Sequence, residues 1–293
     1  MPYVTEESIT KIAQERWATA HSPRLREVLV ALIQHLHDFA REVHLTEEEW
    51  FTAMNYLMET GQMSDERRNE FILLSDIMGL SMLTVQMNHR LDPRATPNTV
   101  LGPFYQDGSP ELPNGGDMGQ GVEGEPLYIT GTVRGLDGEP VGGAKLDLWQ
   151  ADEQGLYEVQ LEGRQEPYLR AVYHTKSDGS FCVKTVSALG YPIPMDGTAG
   201  RLINHTDVSY YRPAHVHFII EAPGYKRLVT HIFRKDAPYL ETDVVYGVKK
   251  ELIVEFKQHQ SGQTPDGSSS TSPFTTVHYD FVLQKASAKA AAA

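Results

Sequence analysis

Cysteine is almost absent: Cys182 stands alone among 293 residues, so an internal disulfide and any thiolate cluster for a metal are excluded. In "GSFCVKTV" it reads as a small strand residue rather than a nucleophile. Excess positive charge is lacking too. With 39 acidic against 26 basic side chains the formal net charge is −13, which opposes a phosphate backbone or an anionic lipid surface. No apolar run approaches the roughly 20 residues of a membrane-spanning helix, and "MPYVTEES" has no basic, then apolar, leader pattern. The expectation is a cytoplasmic protein that binds neither nucleic acid nor membrane.

The hydrophobic pattern changes period along the chain. Up to about residue 90 it is helical: Leu25, Val28, Leu29, Leu32, Leu36, Phe39 and Val43 recur at steps of three and four behind a Ser22 cap and Pro23. "TEEEWFTAMNYLM" opens with Thr46 and Glu49 in capping-box spacing, with Gly61 as its stop. "SDERRNEFILLSDIMGLSMLTVQMNHR" reads as one long helix, ended by the prolines of "LDPRATPNTVLGPFY". From about residue 126, short strands alternate with Gly, Pro and Asp turns and no helix between them, the pattern of a β-sandwich. "HQSGQTPDGSSSTSP" reads as an exposed loop and "KASAKAAAA" as a frayed tail. The fold class expected is α+β, mainly β, with a helical segment over 1–95, a sandwich over 96–285 and a disordered tail over 286–293. The apolar stripes of the helices suit either packing within the chain or pairing with a second copy.

The sharpest local signal is "YYRPAHVHFIIEAPGY". Strand side chains alternate, so His215, His217 and Ile219 share one face while Val216, Phe218 and Ile220 occupy the other, the core face. Two imidazoles rooted roughly 6.6 Å apart can lean together onto one ion. Upstream, Tyr157 closes the loop of "DLWQADEQGLY" and Tyr191 stands in the Gly/Pro loop "GYPIPMDG". Each of these tyrosines alone reads as a packing residue. Together, two phenolates and two neutral imidazoles form a hard anionic donor set suited to Fe(III), leaving a Lewis acid for an aromatic diol. A second ligand pattern, His205-x-Asp207 with His259 downstream, has the residue types of an Fe(II) two-histidine, one-carboxylate site.

The blocks "TVLGPFY", "LDLWQADEQGLY", "GYPIPMDG", "YRPAHVHFIIEAPGY", "LVTHIF" and "YLETDVVYGVKKELI" resemble, in this order, the intradiol ring-cleaving dioxygenases. The resemblance implies a non-haem Fe(III) enzyme whose metal ligands are Tyr157, Tyr191, His215 and His217, with Tyr191 and His217 axial. It implies Tyr191 as the base for a substrate hydroxyl and Arg212 as the stabiliser of negative charge on the substrate. It also implies a helical dimerisation segment, hence a homodimer, and permits a lipid at that interface. Its substrates are a small aromatic diol or triol and O2. The match leans towards the hydroxyquinol-cleaving branch, because catechol and chlorocatechol enzymes commonly carry glutamine where His231 stands. Leu73, Asp76, Gly102, Pro103, Phe104 and Ile193 are implied as pocket walls, with Asp76 able to accept a hydrogen bond from a third hydroxyl. A catechol or chlorocatechol enzyme, and more distantly a transthyretin-like binding module without catalysis, are the alternatives.

Overall fold

The computed structural model describes residues 3–161, 163–164 and 166–286; the tail expected from 286 onward lies, beyond Ala286, outside the described residues. The chain divides into two compact units, Met1–Glu59 and Thr60–Ala293.

In the first unit, α1 (Ile9–Trp17) lies along α2 (Pro23–Glu42). Gln14 reaches across to the Val30 carbonyl at 3.2 Å and to Gln34 at 3.1 Å. The start of α2 is fixed as its sequence demands, with the Ser22 hydroxyl accepting from the Leu25 N–H and Pro23 in the first turn. The start of α3 (Glu47–Gln62) carries the reciprocal cap: Glu49 accepts from the Thr46 N–H at 2.9 Å, and Thr46 Oγ1 accepts from the Glu49 N–H. The apolar stripe of α2 lies open, with Leu25, Val28, Leu32, Leu36, Phe39 and Val43 all exposed.

The long helix expected over the next stretch is two helices, α4 (Glu70–Ile77) and α5 (Leu80–Asn88), bent by 79°. Gly79 makes the break with φ 74°, a left-handed conformation that a side chain penalises. Apolar periodicity runs on through the bend and so conceals it. α4 is tied down by its buried Glu70, which accepts from the Ala199 N–H at 2.9 Å and pairs with Arg68 at 3.0 Å. Ala199 belongs to α6 (Thr198–Ile203), a short helix inside what the sequence presents as a Gly/Pro loop. Arg68 also pairs with Asp196 at 2.8 Å, so α4 and α6 are clamped together.

The strands are β1 (Pro126–Gly135), β2 (Lys145–Trp149), β3 (Arg170–His174), β4 (Ser180–Val186), β5 (Tyr191–Pro192), β6 (Tyr211–Arg212), β7 (His215–Glu221), β8 (Leu228–Arg234), β9 (Ile253–Val254), β10 (Lys257–His259), β11 (Gly262–Gln263), β12 (Ser269–Ser270), β13 (Phe274–His278) and β14 (Phe281–Leu283). One sheet runs β10-β13-β1-β14 with β4 on β1, and the other runs β3-β2-β7-β8-β9. Their inner faces share one core, in which Leu127, Ile129 and Val183 meet Leu146, Leu148, Val216, Phe218 and Ile220. That is the expected sandwich. The serine-rich segment read as a loop contains the β11–β12 pairing, Gly262 opposite Ser270 and Gln263 opposite Ser269. The short pair β5–β6 sets Tyr191 opposite Arg212, and β2–β7 sets Trp149 opposite His217.

Gly79→Ala adds a side chain at positive φ, with its Cβ 3.4 Å from the Tyr246 ring. The expected cost is about 1–2 kcal/mol, read as a lower Tm in thermal unfolding; an unchanged Tm contradicts the account of the bend.

Candidate metal centre

Alternation along β7 does what the sequence requires. Val216, Phe218 and Ile220 enter the sandwich core, while His215 and His217 turn into a smaller cluster with Trp149, Tyr157, Tyr191 and Ile219. Trp149 lies flat against His217, with ring centroids 4.5 Å apart at 17°. Tyr157 arrives from a loop shaped by Asp152, whose carboxylate accepts from the Gln154 and Leu156 N–H groups at 2.9 Å each. Gly155 in that loop has φ 79°, and a Cβ there would overlap Tyr191. The loop and Tyr191 approach as closely as they do because residue 155 has no side chain.

Four donor atoms converge. Tyr157 Oη lies 2.9 Å from Tyr191 Oη, 2.9 Å from His217 Nε2 and 3.3 Å from His215 Nε2, and the two Nε2 atoms are 3.0 Å apart. All four side chains are buried. His215 Nδ1 is 2.7 Å from the Pro213 carbonyl, which can only accept, so Nδ1 carries the proton and Nε2 is a bare lone pair. Arg212 points one N–H at that lone pair from 3.0 Å. Burial holds His215 and His217 well below the ordinary imidazole range, with Arg212 adding to the effect on His215 and His231 to that on His217. Both imidazoles are therefore neutral. Burial also raises both Tyr157 and Tyr191 above the ordinary phenol value, with Arg212 opposing the rise at each. A cluster of lone pairs and phenol oxygens about 3 Å apart is what ligands about 2 Å from a common ion present. Donor set and spacing fit a hard, highly charged cation.

A third buried histidine joins them. His215, His217 and His231 form the group whose ligand atoms lie within 4.8 Å of one another among the described residues. His231, however, stands behind His217: its Nε2 is 2.7 Å from His217 Nδ1, the nitrogen facing away from Tyr157. It supports a ligand rather than adding one. The alternative His205-x-Asp207 pattern does not assemble, since both residues are exposed and His259 sits in β10, paired with Thr276 at 2.9 Å. Its spacing was a coincidence of sequence.

Beside the donors is a small, largely enclosed cavity. Leu73 and Asp76 from α4, Gly102, Pro103 and Phe104, and Ile193 line it together with Tyr191, Arg212 and His217. Every wall residue expected from the sequence is present. Val100 and Val245 complete the lining; each lies within a quoted block, and only its direction in the fold marks it. Phe104 stacks on Tyr157 at 4.8 Å. Arg212 is held by Asp243 at 3.0 Å, a buried ion pair that sequence distance hides. Asp76 is almost fully buried, and neither of its carboxylate oxygens accepts a hydrogen bond of good geometry from the protein. Burial pushes its pKa up to about 6.

Comparison with known proteins agrees with this geometry. The model described as "Dioxygenase" matches residues 100–285 and that described as "Catechol dioxygenase N terminus" matches 22–96. The 6-chlorohydroxyquinol 1,2-dioxygenase of Cupriavidus pinatubonensis is 46% identical over 88% of this chain and 93% of its own. The hydroxyquinol 1,2-dioxygenase of Nocardioides simplex is 42% identical over 96% of both chains. The crystal structure of hydroxyquinol 1,2-dioxygenase from Pseudomonas putida DLL-E4 superposes with a TM-score of 0.87 at 40% identity, covering 96% of this chain and 99% of that one. With its helical N-terminal part and its β-sandwich, the chain belongs to the intradiol ring-cleavage dioxygenase family.

Proposed function

We propose that the protein is a hydroxyquinol 1,2-dioxygenase, which opens benzene-1,2,4-triol between its adjacent hydroxylated carbons with O2 to give 3-hydroxy-cis,cis-muconate, the tautomer of maleylacetate. The observation that carries the choice of triol is Asp76, a buried carboxylate on the cavity wall whose two oxygens accept no hydrogen bond of good geometry from the protein. A third hydroxyl supplies the donor that it lacks, whereas catechol leaves it unsatisfied. The names of the relatives above support the same choice.

The metal in this reading is Fe(III), held by Tyr157, Tyr191, His215 and His217. When bound, it supplies a Lewis acid for the two adjacent hydroxyls. Tyr191 Oη takes a proton from a substrate hydroxyl, a base tuned by the neighbouring Arg212. Arg212, fixed by Asp243 and buried, stabilises the negative charge that grows on the substrate as O2 adds. Leu73, Ile193 and Phe104 keep water from the ring. The span 96–285 is the catalytic domain in this reading. The span 1–95 is the helical domain, of which α4 also builds a pocket wall. The open stripe of α2 is the homodimer surface, and a cytoplasmic location suits an enzyme of this kind; no single helix among the described residues is long and apolar enough to cross a membrane.

Three results test this reading. Both phenols are neutral without a cation, so loading releases protons and metal affinity rises with pH by up to about 100-fold per unit. Competition of ferric ion against a chelator at pH 6, 7 and 8 measures the slope, and the loaded protein shows a visible tyrosinate band that shifts with hydroxyquinol under anaerobic conditions. A flat slope and a colourless ferric protein overturn the ligand set.

Asp76→Asn lowers kcat/KM for hydroxyquinol relative to catechol by about 10–100-fold, the worth of about 1.4–2.7 kcal/mol. The same substitution stabilises the fold. Asp76 holds its proton to about pH 6 when folded against 3.8 ordinarily, so its charge costs stability as pH rises through that window. The variant therefore gains nothing below about pH 4 and at most about 3 kcal/mol above pH 6, measured by denaturant unfolding. A catechol preference in the parent protein, unchanged in the variant, refutes the triol assignment.

Leu36→Glu places a charge in the α2 stripe. Sedimentation is expected to show a dimer for the parent and a monomer for the variant; a monomeric parent removes the dimer.

A further inference from the structure

Behind the metal centre runs a buried chain of three side chains. His217 Nδ1 is 2.7 Å from His231 Nε2, and His231 Nδ1 is 2.6 Å from Thr99 Oγ1. His231 is wholly buried and Thr99 almost so. Thr99 is pinned by its backbone, with its N–H donating to the Val229 carbonyl at 2.8 Å. We propose that Thr99 is a positioning residue for the metal centre: as the hydrogen-bond acceptor behind His231, it stabilises the tautomer of both histidines that leaves His217 Nε2 bare for the metal.

The inference rests on the reading of His217 as a ligand, and the rest is proton counting. A neutral imidazole carries one N–H. For Nε2 of His217 to bind a metal, its proton must sit on Nδ1 and be donated to His231 Nε2. His231 must then carry its own proton on Nδ1, where Thr99 Oγ1 is the acceptor. The chain has only one other neutral polarity. If the Thr99 hydroxyl donates to His231, then His231 donates to His217 Nδ1 and the His217 proton moves to Nε2, where it blocks the metal. Losing the hydroxyl strands a buried N–H in the metal-competent polarity. The cost falls on metal binding, although Thr99 touches neither metal nor substrate. His215 needs no such chain, because the Pro213 carbonyl sets its tautomer directly.

Thr99→Val keeps the shape and removes the acceptor. Ferric affinity, measured by competition with nitrilotriacetate, is expected to fall about 10–100-fold, the usual worth of a group that orients a ligand. Thr99→Ser restores it. In a His231→Gln background the amide carbonyl accepts from His217 whatever stands at residue 99, so there Thr99→Val costs less than about threefold, a non-additivity that a purely structural role does not produce. In the metal-free protein, nitrogen-15 imidazole spectra are expected to show His217 protonated at Nδ1 in the parent and shifted towards Nε2 in Thr99→Val. Parent-like affinity and tautomer in Thr99→Val overturn the proposal, as does an equal loss in both backgrounds. His217→Ala separates the two readings: if it loses the metal while Thr99→Val keeps it, the relay alone fails, and if it keeps the metal, the ligand assignment falls and the relay with it.

Discussion

Strand β7 has to satisfy two incompatible environments at once, and the rest of the site follows from that. One face of it is sandwich core, closed by Val216, Phe218 and Ile220; the other, one residue out of phase, holds imidazoles whose Nε2 atoms lie 3.0 Å apart. Polar atoms this close in a buried space need a cation or shared protons between them. The sandwich supplies the rigidity that holds them there. Trp149 in the neighbouring strand packs flat on His217, and the glycine at residue 155 lets the Tyr157 loop close onto Tyr191. The fold thus holds four polar side chains together in one buried space.

Arg212 adds a second buried charge to this arrangement. It points at His215, sits opposite Tyr191 across the β5–β6 pair, and is matched by Asp243. Breaking such a pair leaves an uncompensated charge in the interior, worth several kcal/mol. Its positive charge opposes the rise that burial imposes on both Tyr157 and Tyr191.

The sequence shows clearly those features that depend on local spacing. Alternation in "HVHFII" places the imidazoles, Ser22 and Thr46 announce their helix starts, and the resemblance brings Tyr157, Tyr191 and the pocket walls to the same site that the geometry assembles. It conceals what depends on direction or on distant partners. Apolar residues continue through Gly79, so periodicity cannot reveal the bend there; α6 is written in residues that spell a loop, and its start is completed by Glu70, more than a hundred residues earlier. Asp243 and Thr99 carry no local mark of their partners, Arg212 and His231.

The clamp of Glu70, Arg68 and Asp196 has a bearing on variation as well as on stability. The metal donors belong to the sandwich and its loops, whereas Leu73 and Asp76 sit on α4, a short helix hung beside them by that clamp. Substitutions on one turn of α4 would therefore reshape one wall of the cavity while the donors, their loops and Arg212 keep their own supports. Wall and donors are separable parts of the fold, so one can vary without the other.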